Sequence, residues 1–212
     1  MYIPKIFKKE NSKQIIDFIK EHSFASLISN DNGKSFASHI PVDIIQIEND
    51  YYLTGHLSKA NTQLTSLENN KNVLLTFVGA NHYISSKWYD HENVPTWNYI
   101  AVQINGVIEL ISDTEKLIDL LSYQIDKYEK HVKSTLKLTD LSTDMVSKEI
   151  KGIVGFKINI EKIEIAYKLS QNRNQSDYLN IINELKKINS AASNLLASEM
   201  QLEFISNTKT DN

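Results

Sequence analysis

The spacing of apolar residues changes from a helical repeat to a strand repeat early in the chain. Ile15, Ile16 and Ile19 lie on one face of a helix predicted over residues 12–21. Period-two patterns then predict three strands joined by short turns, and Asn32-Gly33 between the first two is a strong hairpin signal. These strands are expected at residues 23–29, 34–47 and 51–57. Together they predict an antiparallel meander.

The rest of the chain is predicted to contain further strands and amphipathic helices that do not alternate regularly. Residues 72–78 are apolar on both faces, which is typical of a strand buried on both sides, and a loop rich in aromatic residues is expected over 80–96. Ser112 and Glu115 have the spacing of a capping box. Further strands are expected at 97–110 and 152–160, and helices at 61–69, 112–130, 142–150, 176–188 and 191–204.

Five to seven antiparallel strands with flanking helices predict a mainly β or α+β fold of the small-barrel kind, because the alternating β-α units of a doubly wound sheet are missing. The length of 212 residues suits one domain with an appendage. We expect a barrel domain over residues 1–170 and a helical extension over 171–212 that packs on the barrel or on a dimer partner.

Composition narrows the functional classes. The chain has no Cys, which excludes disulfides, thiolate metal sites and cysteine nucleophiles and fits a reducing cytoplasm. Lys and Arg number 23 against 26 Asp and Glu, so the net charge of −3 argues against a protein that binds DNA mainly through phosphate contacts. No apolar run approaches the length of a membrane span, and the first ten residues lack the apolar region of a signal peptide. The expectation is a cytoplasmic protein without membrane contact.

The familiar catalytic motifs are absent from the sequence. It contains no Gly-x-Gly-x-x-Gly after a strand, no Walker A motif and no His-Glu-x-x-His. The six His lack the spacing of helical metal ligands, so no metal site is predicted. Ser38 and His39 are adjacent on a strand and therefore point to opposite faces, which argues against a catalytic triad. No catalytic residue is identified.

Three polar clusters remain, and the first covers residues 54–63. There a strand ends beside a short helix, and Ser58, Lys59 and Asn61 stand at the junction. Free backbone N–H groups at a helix start, together with a cation, form an anion site, and phosphate is the commonest such anion. Alternatively, Lys59 is solvated and Asn61 only caps the helix.

The second cluster, at residues 81–89 and 94–99, combines two Trp and three Tyr with Ser, His and Asn, which suits the wall of a planar ligand. The third, at residues 168–173, is a run of hydrogen-bond donors that suits carboxylate, carbonyl or phosphate. The alternatives are a surface loop held by its aromatic residues and a plain loop before a helix. Jointly the three clusters indicate a phosphorylated planar ligand, which describes flavin mononucleotide (FMN).

Short segments along nearly the whole chain resemble the PaiB-type family of FMN-binding negative transcriptional regulators, which belongs with the split β-barrel flavoproteins. The segments are Met1-Tyr-Ile-Pro4, Ala37-Ser-His-Ile-Pro41, Gly55-His-Leu-Ser-Lys-Ala-Asn61, His82-Tyr-Ile-Ser-Ser-Lys-Trp-Tyr89, Val94-Pro-Thr-Trp-Asn-Tyr99, Gly152-Ile-Val-Gly-Phe156 and Lys168-Leu-Ser-Gln-Asn-Arg173.

This resemblance implies an antiparallel split β-barrel with flanking helices, FMN as cofactor, and a homodimer with ligand sites at its interface. In pyridoxamine-phosphate-oxidase-like barrels a Ser-Arg-Lys run holds the flavin phosphate, whereas this chain has only Ser58-Lys59 at that place. The residues expected at the cofactor are His39, His56, Ser58, Lys59, Asn61, Gln63, Tyr83, Ser85, Trp88, Trp97, Asn98, Lys168, Gln171 and Arg173.

Two functional classes follow from the resemblance: a flavin-binding sensor or regulator without turnover, and a flavin-dependent oxidoreductase. The absence of a clear acid–base dyad favours the first. A haem-binding or haem-degrading protein is a third alternative, with His39, His56 or His82 as iron ligand. Residues 112–130 carry acidic as well as basic side chains, so no sequence-specific DNA binding by the protein alone is expected.

Overall fold

The structure is a computed structural model that describes residues 1–9 and 12–210. Within these ranges the α-helices are α1 (Ser12–Glu21), α2 (Gln63–Asn69), α3 (Thr114–His131), α4 (Thr143–Lys151), α5 (Gln175–Ile188) and α6 (Ala191–Thr210). The strands are β1 (Phe24–Asp31), β2 (Lys34–Pro41), β3 (Asp43–Ile47), β4 (Asp50–Ser58), β5 (Asn72–Ile84), β6 (Thr96–Ile111) and β7 (Ile153–Lys168). Short 3-10 helices occupy Lys5–Phe7, Ser86–Trp88 and Leu138–Asp140.

The seven strands form one sheet in the order β2-β1-β5-β6-β7-β4-β3. The pairs β1–β2, β1–β5, β3–β4 and β4–β7 are antiparallel. In the described part of the chain the sheet ends at β2 and β3 and is not closed. The predicted antiparallel mainly-β class with flanking helices is confirmed.

The predicted meander is wrong in one respect, because residues 34–47 form two strands instead of one. β2 pairs with β1, whereas β3 pairs with β4 at the other end of the sheet order. The change comes at Pro41, which has no N–H to continue a ladder. Val42 then donates its N–H to the carbonyl of Ser23 at 2.8 Å. Burial continues at Val42 and Ile44, so the apolar pattern alone does not reveal the change of partner.

Several element boundaries differ from the predicted ones. β5 continues to Ile84, so residues 80–84 of the expected loop at 80–96 are strand, and β7 continues to Lys168. Helix α3 is capped by Asp113, whose side chain accepts the N–H of Lys116 at 3.0 Å, in place of Ser112. The hairpin turn is confirmed, since Asn32 and Gly33 have φ of 50° and 77°.

The chain divides into two compact units. The first unit comprises Met1–Ile15, Val78–Gln103 and Glu164–Asn212, and the second comprises Ile16–Phe77 and Ile104–Ile163. Each has its own fully buried side chains, such as Ile84 and Met200 in the first unit and Phe77 and Phe156 in the second. The predicted domain boundary between residues 170 and 171 stays a prediction. No helix in the described ranges is long and apolar enough to cross a membrane.

Candidate functional site

The junction after β4 was expected to offer free backbone N–H groups, and for Lys59, Ala60 and Asn61 that expectation is wrong. Lys59 donates its N–H to the carbonyl of Gly152 at 2.8 Å. The N–H of Ala60 is donated to the Ser58 hydroxyl at 3.2 Å, and that of Asn61 to the Ser58 carbonyl at 2.9 Å. Ser58 and Lys59 are exposed at the strand end. What this junction can offer an anion is therefore the Lys59 ammonium and the Ser58 hydroxyl.

Asn61 and Gln63 connect helix α2 to the neighbouring strands. The Asn61 amide donates to the Ser38 hydroxyl at 2.8 Å, and its oxygen accepts the Gln63 N–H at 2.9 Å. Gln63 is buried, and its Nε2 donates to the Leu27 carbonyl at 3.0 Å and to the Ser29 hydroxyl at 3.1 Å. In the described residues the Gln63 Oε1 is buried without a hydrogen-bond partner. These contacts hold the junction in place.

The two histidines of the second unit that were expected at the site, His39 and His56, differ in what surrounds them. His39 is exposed on β2, with Nδ1 2.9 Å from the Ser26 hydroxyl. His56 is half-buried on β4, with Nδ1 3.0 Å from the amide oxygen of Gln124 on α3. Gln124 was not among the residues expected at the site. Gln124 follows Leu120 by four positions and therefore lies on the face of α3 that is turned to the interior. A polar residue on this apolar face is the feature of the sequence that could have drawn attention to it.

An exposed aromatic pair lies in the first unit. Tyr83 on β5 and Trp97 on β6 are 43% and 54% exposed, and their ring centroids are 6.4 Å apart in an edge-to-face arrangement. Trp88 is half-buried, and its carbonyl accepts the Asn180 amide at 2.8 Å. Ser85 accepts the N–H of Lys87 and caps a 3-10 helix. Of these residues, Tyr83 and Trp97 offer the most open aromatic surface for a planar ring.

Asn98 lies in the interior of the first unit. It is fully buried, its Nδ2 donates to the Ser170 hydroxyl at 2.9 Å, and that hydroxyl donates back to the Asn98 Oδ1 at 3.1 Å. The Met200 sulfur is 3.5 Å from the same Nδ2. The Asn98 amide is therefore already used within the interior and is not open to a ligand.

The residues after β7 include two cations. Lys168 donates to the Thr96 hydroxyl, and the Arg173 guanidinium lies 4.8 Å from the ring centroid of Tyr89. Burial lowers the pKa of the Lys168 ammonium, and the positive charge of Arg173 lowers it further. Among the described residues neither cation has a carboxylate partner within salt-bridge distance. Two cations without a carboxylate partner favour the binding of an anion.

Gln171 folds back on its own loop. Its Oε1 accepts the N–H of Leu169 at 2.9 Å, and its Nε2 donates to the Tyr167 carbonyl at 2.6 Å. The side chain shapes the turn that carries Arg173.

Lys168 and Arg173 each line a small cavity. Lys168 lines one of about 250 Å³ with Tyr2, Phe7 and Tyr99, and Gln171 and Arg173 line another of about 180 Å³. Neither Tyr2 nor Tyr99 was among the residues expected at the site, although both stand in the segments that resemble the family. Two larger clefts of the second unit, of about 460 and 410 Å³, contain none of the expected site residues.

The expected site residues thus form two sets, each within one unit. His39, His56, Ser58, Lys59, Asn61 and Gln63 belong to the second unit, and Tyr83, Ser85, Trp88, Trp97, Asn98, Lys168, Gln171 and Arg173 belong to the first.

One further cluster brings together metal-ligating atoms. The His91 Nδ1 lies 2.8 Å from an Asp90 oxygen and 3.3 Å from an Asp177 oxygen. Its Nε2 faces the Asn93 amide nitrogen at 3.3 Å, and the Asn93 oxygen accepts the Val94 N–H. Because an amide nitrogen only donates, Nε2 accepts and the proton lies on Nδ1, shared with the carboxylates. The hydrogen bond from His91 lowers the pKa of Asp90. The cluster is therefore a hydrogen-bonded anchor of this loop.

Comparison with known proteins gives matches over most of the chain. The family model described as "Putative FMN-binding domain" matches residues 1–162. The Protease synthase and sporulation protein PAI 2 of Bacillus subtilis is 44% identical over 186 residues, which cover 88% of this chain and 89% of the relative.

Solved structures with the same fold include the FAD and haem binding protein from Mycobacterium smegmatis, with a TM-score of 0.61. The two sequences are 14% identical, and the match covers 81% of this chain and 78% of that protein. The flavocytochrome Anf3 from Azotobacter vinelandii has a TM-score of 0.58, 17% identity and coverage of 84% and 78%. At these identities the likeness concerns the fold, and the predicted split-barrel class is confirmed.

The family match also confirms the resemblance that the sequence segments indicated, and FMN is the cofactor after which that family is described. With its residues 1–162 matched and a relative at 44% identity, the chain belongs to the FMN-binding split-barrel family of PaiB type.

Proposed function

We propose that this protein binds FMN and acts as a flavin-binding sensor or regulator without substrate turnover. The observation that carries the proposal is the match of residues 1–162 to an FMN-binding family. The name of the Bacillus subtilis relative, which refers to protease synthesis and sporulation, supports a regulatory role.

The described side chains fit the chemical parts of FMN. The exposed rings of Tyr83 and Trp97 suit the planar isoalloxazine. For the phosphate dianion, each unit has its own candidate cations without a described carboxylate partner, Lys59 in the second unit and Lys168 with Arg173 in the first. When bound, FMN would supply redox chemistry, while these residues would bind and orient it.

The remaining expected residues have two kinds of role in this proposal. His39, His56 and Ser58 are accessible enough to contact the ligand, whereas the amides of Asn61, Gln63, Asn98 and Gln171 are already engaged in hydrogen bonds within the protein. Ser85 and Trp88 shape the end of β5 beside Tyr83.

The test is the absorbance spectrum of the purified protein, followed by titration with FMN. Saturable binding of one FMN per chain, without NADH consumption by the loaded protein, is the expected result. Rapid NADH consumption would instead establish the flavin-dependent oxidoreductase. A Soret band after haem addition, with no response to FMN, would establish the haem-binding alternative, with His39, His56 or His82 as candidate ligand.

We also propose that the protein is a homodimer. The two cavities that contain expected site residues, about 250 and 180 Å³, are smaller than the roughly 300–1,000 Å³ typical of ligand pockets. Helix α6 also leaves Leu195 and Leu202 exposed at a spacing of seven residues, so they share one face. A second subunit would cover this face and complete the ligand site.

Light scattering tests the dimer. We expect about twice the chain mass of 24.3 kDa for the natural protein and a shift toward monomer for Leu202→Lys. Leu136→Lys, at another exposed leucine, is the matched control and should stay dimeric. A natural protein of one chain mass at micromolar concentration contradicts the dimer.

We propose that any regulatory role does not rest on sequence-specific DNA binding by this protein alone. The net charge of −3 and the acidic residues among the lysines of α3 support this, and the lack of Cys agrees with a cytoplasmic location. A gel-shift assay should show no selective band at nanomolar protein. A salt-sensitive, sequence-selective shift would overturn the proposal.

A further inference from the structure

A chain of polar side chains links His56 on β4 to Asp43 on β3 through helix α3. The His56 Nδ1 lies 3.0 Å from the Gln124 Oε1, and the Gln124 Nε2 lies 2.9 Å from an Asp43 oxygen. The other Asp43 oxygen pairs with the Lys127 ammonium. Asp43 is 1% exposed and Gln124 is 7% exposed, so water does not compete for these contacts. All four residues belong to the second unit.

The chemistry of this chain decides which nitrogen of His56 carries the proton. A carboxylate paired with an ammonium only accepts hydrogen bonds, so the Gln124 amide must turn its NH₂ group toward Asp43. The amide oxygen then faces His56, and an amide oxygen only accepts. The proton of a neutral His56 therefore lies on Nδ1, and Nε2 keeps its lone pair.

The other two histidines considered as ligands lack this arrangement. His39 has a hydroxyl partner, Ser26, which can donate or accept and so leaves the tautomer open. His82 donates Nδ1–H to the carbonyl of its neighbour Tyr83 at 2.7 Å, without any buried carboxylate behind it. Only for His56 among the three is the tautomer set by a buried polar chain.

We propose that Nε2 of His56 accepts a hydrogen bond from bound FMN, and that Gln124 and Asp43 are the positioning residues that hold the neutral ring in its Nδ1–H form. The proposal rests on the proposed flavin function. The ligand offers suitable donors in its imide N–H and its ribityl hydroxyls. No described residue occupies Nε2, and outer partners that fix a ring in this way are known to tune imidazole ligands.

Nitrogen NMR of the imidazoles tests the positioning without any flavin. At pH 8, His56 is expected in the Nδ1–H form, with its signals assigned from a His56→Gln spectrum. In Asp43→Asn the new amide can donate as well as accept, so Gln124 is free to turn and the Nδ1–H fraction of His56 should fall. His82 is the internal control, since it should keep its tautomer. An unchanged His56 in Asp43→Asn would overturn the positioning role.

Flavin titration tests the contact with the ligand. Gln124→Leu removes the acceptor that holds Nδ1–H and should weaken FMN and riboflavin alike, by about threefold to tenfold, as expected for one neutral hydrogen bond. Gln46→Leu, at an exposed glutamine of β3, is the matched control and should bind as the natural protein does. FMN should also shift the Nε2 resonance of His56.

The outcomes separate a ligand contact from a purely structural network. If FMN binds without moving the Nε2 resonance, and Gln124→Leu keeps its affinity while folding normally by circular dichroism, the network only anchors α3 and the acceptor role is overturned. If Gln124→Leu does not fold, the Nε2 shift in the natural protein decides alone. If the natural protein binds neither flavin, the acceptor role falls together with the proposed function.

Discussion

Replacing Lys59 by Ala tests where the flavin phosphate binds. Lys59 is exposed, and its backbone N–H is held by the Gly152 carbonyl at 2.8 Å whatever the side chain is. The loop should therefore keep its shape in Lys59→Ala. Because an exposed lysine seldom contributes much to stability, the midpoint of thermal unfolding should stay nearly unchanged.

The size of the expected effect follows from the donors that remain at the junction. The N–H groups of Ala60 and Asn61 already donate to Ser58, and that of Lys59 donates to the Gly152 carbonyl, so they cannot replace a lost ammonium. A charge-assisted hydrogen bond is worth roughly 1.5–3 kcal/mol, and the exposure of Lys59 favours the lower end. About 1.5 kcal/mol corresponds to roughly tenfold weaker FMN binding.

Calorimetric or fluorescence titration with both FMN and riboflavin provides the assay. Riboflavin lacks the phosphate, so its affinity should stay the same in Lys59→Ala while that of FMN falls. Lys34→Ala, at an exposed lysine beside the β1–β2 turn, is the matched control and should leave both affinities unchanged.

Two results would refute the reasoning. Equal losses for FMN and riboflavin would mean that Lys59 acts on the ring or on the fold. Unchanged FMN binding in Lys59→Ala, with a loss in Lys168→Ala or Arg173→Ala, would place the phosphate beside the two cations that follow β7.

Two further predictions concern the fold. Gly106→Ala should lower the free energy of unfolding in urea by about 2–3 kcal/mol, because a Cβ there would collide with the Asn159 carbonyl. Gly152→Ala is the control: the atom nearest to its new Cβ is 3.3 Å away, so the free energy of unfolding should fall clearly less. An equal loss in the two variants would contradict the steric argument. Burial lowers the pKa of His22 from its usual 6.5, only partly opposed by Glu21, so the neutral ring is favoured in the folded state. The stability that the half-buried neutral His22 contributes is present above pH 6.5 and is lost as the pH falls below it. In His22→Gln the midpoint of thermal unfolding should therefore drop less between about pH 7.5 and pH 5.5 than in the natural protein. An equally steep drop in the variant would argue against this assignment.

The candidate site was only partly predictable from the sequence. Lys59, Tyr83 and Trp97 were recognised because their neighbours in the chain mark strand ends and loops, and the structure leaves them exposed. The backbone donors expected at Ser58–Asn61 are used, because the carbonyl that takes the Lys59 N–H comes from Gly152, far along the chain. Asn98 is buried, since Ser170 and Met200 reach it from segments that the local pattern does not connect.

Local patterning determined most of the elements of this protein. Period-two alternation, the Asn32-Gly33 turn and the apolar stripe of α5 are properties of neighbouring residues, so the hairpin, the strand count of up to seven and the helices followed from the sequence. Tertiary structure alone decided the strand order, including the separation of β2 from β3, because pairing depends on which distant strand is next to each edge. It also decided that Gln124 meets His56 and Asp43, since a tautomer is set by hydrogen bonds between residues that lie 68 and 81 positions apart.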